Sequence, residues 1–366
     1  MLYLAIDQHR KQLTVNLRGE NGEVILRRQV STCWPAVRAF LGEVQTRSAA
    51  EGGYLVIVEV CGFNDWLLEL LHEYGAQDIV LLHPERPSRQ KTDRRDAHRL
   101  GELLWLNRQR LQSGQRVQGL RRVVIPSVAD RADRRLTSLR WRVGRERTRL
   151  LNRLKQLLRR HNLEQHCPTK GIQTRKAWQW LEQLPLTVLD RWDLDQLLAQ
   201  LTALNVQQQG LEERLQQRQR EHALAPLLAT LPGAGAFSAL ALACRIGDIG
   251  RFPRPRSLAN YWGLTPGCRN SGEARQRLGS ITKQGSALAR YLLGQMVLHV
   301  LRRDGRLRSW YKEVRRRRGS KIARVAVMRR LATIVWHMVK YQRPYVVGGL
   351  RAAEPAAAAV ATIAGS

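Results

Sequence analysis

The chain has 366 residues, with 62 Lys and Arg against 30 Asp and Glu and a formal charge of +32. At 43% hydrophobic residues it can bury real cores, which excludes wholesale disorder, and its length suits two or three domains. Arg outnumbers Lys 53 to 9, so a polyanionic partner is expected, and the planar guanidinium favours nucleic acid over a membrane surface.

The excess charge is uneven. Residues 1 to 84 hold 7 Lys and Arg against 10 Asp and Glu, and the rest of the chain carries all of the positive surplus. The opening part reads as α/β. Tyr3 to Ile6 is a short buried strand, Leu13 to Leu17 alternates like a second, and Glu23 to Val30 is a third, reached through the turn Gly19 to Gly22. Pro35 to Val44 is helical, and Tyr54 to Val58 is a continuous β-branched run, as expected of a strand covered on both faces. Leu67 to Tyr74 is a helix, Ile79 to Leu82 a strand, and Asp93 to Leu106 a further helix. The expected fold is a mixed sheet flanked by helices over residues 1–107.

Residues 108–222 read as a helical, coiled-coil connector. Leucines recur at 3- and 4-residue steps from Ala129 to His161 and again from Gln196 to Arg218, and Trp178 and Trp180 between them should pack. Residues 223–345 read as a mainly α domain. Leu231 to Gly235 breaks one helix and starts another, Gly263 to Gly285 is a Gly-, Arg- and Ser-rich loop, and Ala287 to Val300 and Lys321 to Val339 are helical. The Ala-rich tail, 346–366, is expected to be disordered. Leu2 to Ile6 ends at Asp7, too short for a secretory signal, and no run approaches a membrane span. Five cysteines without a C-x-x-C pair support neither a disulfide framework nor a zinc ribbon, so a reduced, cytoplasmic protein is expected.

The sharpest chemical feature is a set of carboxylates. Asp7 and Glu59 each follow a hydrophobic strand directly, and Asp93 and Asp96 lie three apart at a helix start, on one face. Converging on one sheet edge, the four would repel unless cations neutralised them, and hard oxygen ligands suit magnesium, with manganese as a substitute. The plainer alternatives are a helix-start carboxylate at Asp93 and an Arg-paired Glu59. Gly233 and Gly235 sit where backbone N–H groups at a helix start could seat a phosphate, although an ordinary helical corner has the same sequence. Ser271 lies in a cationic loop with Arg269, Arg275, Arg277 and Lys283, which could hold a phosphodiester. No His lies between His222 and His299, so a nucleophilic Ser271 would need activation from elsewhere; otherwise it is a solvated loop serine. Lys91, Arg95 and the run Arg315, Arg316, Arg317 and Arg318 complete the expected nucleic-acid contacts.

Several motifs in order carry a family resemblance: Ala5-Ile-Asp7, Val58-Glu59, Lys91-Thr-Asp-Arg-Arg-Asp-Ala97, Leu231-Pro-Gly-Ala-Gly235, Leu258 to Pro266, Ser271-Gly272 and Gly279 to Gly285. The chain resembles the DEDD transposases of the insertion-sequence one-ten family, RNA-guided serine recombinases, over nearly its whole length. The resemblance implies a ribonuclease-H/RuvC-like first domain with Asp7, Glu59, Asp93 and Asp96 as its metal-binding tetrad. It also implies a C-terminal transposase domain with Ser271 as nucleophile, and composite sites shared between subunits of a dimer or tetramer. Its partners would be an element-encoded bridge RNA and donor and target double-stranded DNA, in the cytoplasm at the nucleoid. Gln8-His9 after Asp7 and Val60-Cys61-Gly62 after Glu59 depart from the common family pattern. Rival readings are a metal-dependent junction nuclease with Ser271 idle, and a non-catalytic nucleic-acid scaffold.

Overall fold

A computed structural model describes residues 1–83, 93–115, 117, 120–269 and 277–348, without the side chains of residues 93, 94, 268, 269, 277 and 278. The chain divides into two units, Met1–Ile125 and Pro126–Ser366.

In the first unit the elements run β1 (Leu2–Gln8), β2 (Gln12–Arg18), β3 (Val24–Ser31), α1 (Trp34–Ala49), β4 (Tyr54–Glu59), α2 (Asp65–Glu73), β5 (Ala76–Leu82), α3 (Asp93–Leu106) and α4 (Arg108–Gln112). The five strands form one mixed sheet in the order β3-β2-β1-β4-β5, antiparallel from β1 to β3 and parallel from β1 through β4 to β5. This is the α/β architecture that the alternation of strand and helix predicts. Because strand side chains alternate, each central strand feeds two cores. Leu2, Leu4 and Ile6 of β1 and Val56 and Val58 of β4 pack with Phe40 and Leu41 of α1 and Leu67 and Leu71 of α2. Tyr3 and Ala5, with Leu55 and Ile57, pack on the opposite face with Leu100 and Leu104 of α3. The continuous apolar run of β4 is therefore explained by burial on both sides.

The second unit begins with α5 (Val128–Arg160), followed by α6 (Arg175–Glu182) and α7 (Val188–Glu221). Helix α7 starts at Val188, eight residues before the expected start at Gln196, because Thr187 caps it: its hydroxyl accepts from the Asp190 N–H at 3.3 Å. Leu150, Leu154 and Leu158 of α5 meet Leu194, Leu197 and Leu201 of α7, with Trp178 and Trp180 packed against them. Farther along the same pair, Arg218 grips Asp133 with two hydrogen bonds, at 3.0 and 3.2 Å. The remaining elements are α8 (Ala225–Leu228), α9 (Ala236–Ile246), α10 (Pro255–Tyr261), β6 (Pro266–Arg269), β7 (Arg277–Ile281), α11 (Ala287–Arg303), α12 (Gly305–Arg318) and α13 (Ser320–Tyr341). α9, α11 and α13 enclose a core around the fully buried Trp262. The expected loop from Gly263 to Gly285 contains an antiparallel ladder, β6 with β7. Its strands are four and five residues long and rich in Gly and Arg, so no period-2 pattern announced them. Among the described residues no helix is long and apolar enough to cross a membrane.

Candidate active site at the sheet edge

Ile6 pairs with Val58 across the parallel β1–β4 ladder, and Asp7 and Glu59 are the next residues on the two strands. Both continue the alternation Tyr3, Ala5, Asp7 and Leu55, Ile57, Glu59, so they belong to the face covered by α3. Neighbouring strands lie about 4.8 Å apart, which brings the two acids side by side.

α3 runs along this face with its start toward the acids. Its far end meets the other end of the sheet: Trp105 donates to the Glu20 carbonyl at 3.0 Å, and Arg18, opposite Tyr3, bonds His98 at 3.0 Å. The stripe that buries Leu100 and Leu104 continues back through Asp96 at i,i+4 spacing, and Asp93 opens the helix one turn earlier. Arg99, three residues after Asp96, reaches Glu59 at 3.8 Å, which places this stretch of α3 over the end of β4. The carboxylate of Asp93 lies outside the described residues, as does Lys91.

Asp7 receives His9 Nε2 at 3.1 Å. Burial pushes the Cys61 thiol up, and the negative charge of Asp7 adds to that. Glu59 meets Arg99 in the long contact described above. Among the described residues, whose side chains do not include that of Asp93, no three His, Cys, Asp or Glu gather closely enough to hold a metal ion. The donor chemistry nonetheless suits a hard divalent cation: carboxylates from two strands and one helix at a single edge.

Two further residues set this edge and were missed in the sequence. Asn64, nearly fully buried, accepts from the Cys61 N–H at 2.5 Å and donates to the Glu59 carbonyl at 3.1 Å and to Gln8 Oε1 at 2.8 Å. Gln8 donates in turn to the Phe63 carbonyl at 3.1 Å. The amide pair ties the residue after Asp7 to the backbone of Glu59 and so fixes the spacing of the two strand ends. The one signal in the sequence was Gln8 itself, a polar residue on a strand exit beside an acid.

In the second unit Ser271, Arg275 and the side chains of Arg269 and Arg277 lie outside the described residues. Hydrogen bonds hold the residues that flank their segment. Thr282 N–H donates to the Thr265 carbonyl at 3.0 Å, and Arg290 donates to the carbonyls of Trp262 and Gln284 at 3.0 and 2.8 Å. Gly263 has φ +67°, and a Cβ there would stand 2.2 Å from the Gln284 carbonyl oxygen. Lys283 is exposed in the left-handed conformation, φ 55°. Gly233 also has positive φ, and Gly235 caps α9 without a side chain. Arg95 is exposed on α3, and Arg315 to Arg318 are exposed in the last turns of α12, where the helix dipole favours cations. The sheet-edge acids and the Ser271 segment belong to different units.

An acid-lined edge on a mixed sheet, in a chain whose other unit is strongly basic, belongs with enzymes that process nucleic acid. Comparison with known families bears this out and narrows it. Residues 4–163 match the family model of the DEDD transposase of the IS110 type, and residues 225–312 match that described as "Transposase IS116/IS110/IS902 family". The chain belongs to the IS110 family of DEDD transposases, and its activity is that of a transposase acting in DNA recombination. It is 26% identical to the transposase for insertion sequence element IS1111A of Coxiella burnetii, over 80% of this chain and 79% of that one. It is 28% identical to a probable family 20 transposase of Pseudomonas aeruginosa, over 80% and 86%. A pilin gene-inverting protein of Moraxella bovis is 33% identical over 33% of this chain and 38% of its own.

Proposed function

We propose that the protein is a magnesium-dependent, RNA-guided DNA recombinase that mobilises its own insertion element through a phosphoserine intermediate. The supporting observation is the shared sheet edge, where Asp7, Glu59 and the start of α3 meet. The strand order and the acid positions suit a ribonuclease-H/RuvC-like domain, residues 1–107, followed by a connector, 108–222, and a transposase domain, 223–345. Asp7, Glu59, Asp93 and Asp96 are the residues that would hold divalent cations, which supply Lewis-acid stabilisation of a phosphate and a more acidic hydroxyl. Asn64 and Gln8 keep Asp7 and Glu59 in register, and His9 orients the Asp7 carboxylate.

In this reading the Ser271 hydroxyl loses its proton and attacks the phosphorus of a DNA phosphodiester. A P–O bond to serine forms, the bond to one deoxyribose oxygen breaks, and that oxygen takes up a proton. Attack by a hydroxyl of a new strand reverses the step and restores the serine. Arg269, Arg275, Arg277 and Lys283 offset the charge that develops on the phosphate. The element-encoded bridge RNA would select donor and target DNA by pairing, and a dimer or tetramer at the nucleoid would bring serine and acids together from different subunits.

The test is a nicked suicide substrate incubated with the protein and the RNA that co-purifies with it, with magnesium or EDTA. A denaturation-resistant adduct should form with magnesium and map to Ser271, and Ser271→Ala should abolish it while DNA binding persists. Metal-dependent nicking without an adduct would assign a junction nuclease instead. The absence of both adduct and nicking would leave a scaffold.

A further inference from the structure

We propose that a cavity in the second unit, between α5, α7, α9 and α11, holds one unpaired nucleotide, its base on an aromatic platform and its phosphate on arginines. This extends the nucleic-acid-handling reading above to a specific site. The cavity is about 670 Å³, within the roughly 300–1,000 Å³ of small-ligand pockets. Four arginines line it and no carboxylate does. Arg140 is held by Glu212 at 2.6 Å and Arg147 by Asn205 at 2.7 Å, both on α7. Arg145 and Arg149 are exposed, and Arg145 lies 5.5 Å over the Trp141 ring.

The rings give the cavity its selectivity. Trp141 of α5 and Tyr291 of α11 sit 6.4 Å apart and tilted by 35°. Tyr291 is 47% exposed, so part of this platform is open to a flat ring. A base presents such a face only when unstacked, and a paired duplex hides it. One wall is bare because α5 carries Gly144 in mid-helix, where glycine costs about 1 kcal/mol relative to alanine. A Cβ there would meet only the end of the flexible Arg140 side chain, at 2.9 Å, so helix packing does not require the glycine. What its absence of a side chain provides is room.

Fluorescence anisotropy on the full-length protein without divalent metal tests this. The probes are a duplex with one bulged nucleotide, the same duplex fully paired, and versions with the bulged strand in DNA or RNA. The bulged duplex should bind about tenfold tighter than the paired one. Gly144→Leu, which fills the cavity with a better helix former, and Tyr291→Ala should each remove that preference while leaving paired-duplex affinity unchanged. A 5-iodouracil bulge should cross-link to the peptide carrying Trp141 or Tyr291. The tighter of the DNA and RNA bulges identifies the source of the nucleotide. Equal affinity for bulged and paired duplex, or a preference that survives both variants, overturns the proposal. Asp7→Asn should keep the preference, so loss of strand chemistry and loss of this site are separately visible.

Discussion

Replacing Asn64 by alanine tests whether the amide pair at the sheet edge matters. The substitution leaves three groups short of a partner: Gln8 Oε1, the Cys61 N–H and the Glu59 carbonyl. The contact to Gln8 is fully buried, so its loss costs about 1–3 kcal/mol; the other two are partly buried, and water can replace part of each. A total of about 2–4 kcal/mol is expected. With a urea dependence of about 1–3 kcal/mol per molar, the unfolding midpoint of the first unit should fall by roughly 1–2 M. Asn64→Asp keeps the acceptor to Cys61 but loses both donors and adds charge near Asp7, so it should fare no better. Strand cleavage at low urea should also fall in Asn64→Ala, because the Asp7–Glu59 spacing is no longer fixed. Circular dichroism and cleavage on the same preparations read both effects. A stability loss under about 0.5 kcal/mol together with wild-type cleavage would refute the reasoning.

Asp7→Asn, Glu59→Gln and Asp96→Asn should each abolish strand cleavage in a gel assay. Their unfolding midpoints in EDTA should equal or exceed wild type, since each removes repulsion at the edge. Asp133→Ala should destabilise the second unit by about 1–3 kcal/mol in urea unfolding, because it removes the buried partner of Arg218, which keeps its contact to Glu221. Gly263→Ala should cost more than about 1 kcal/mol, from its positive φ and the approach of the Gln284 carbonyl, measured by thermal unfolding. Burial raises the Asp304 carboxyl, but the N–H groups of Leu307 and Gly348 and the Tyr345 hydroxyl outweigh it and hold the group below its usual range. That contribution is present above the unfolded carboxyl pKa of about 3.9 and is lost as pH falls through the lower folded value. The stability gap between wild type and Asp304→Asn should therefore close below about pH 4.

Most of the first unit was legible because its strands obey a period of two and its helices a period of three to four. The same rule exposed Asp7 and Glu59, acids at the point where an apolar alternation stops. Asn64 was invisible for the opposite reason: its three partners come from separate loops and strands, and an asparagine before a helix looks like an ordinary cap. It is the N-cap residue of α2 by position, yet its side chain caps nothing there. The β6–β7 ladder was hidden by strands too short and too polar to show a pattern. The aromatic cavity was hidden because Trp141 and Tyr291 are 150 residues apart and meet only through the packing of α5 and α11.

The alternation along β1 and β4 also ties the survival of the fold to that of the acids. Tyr3, Ala5 and Asp7, like Leu55, Ile57 and Glu59, hold core and chemistry in one parity. A one-residue slip of either strand turns the acids and the apolar residues over together, and an insertion or deletion inside it puts everything beyond that point on the wrong face. Such a copy loses its fold along with its active edge. Decayed alleles of this kind should therefore vanish as unfolded protein, and should not linger as folded competitors that occupy the substrate without cutting it.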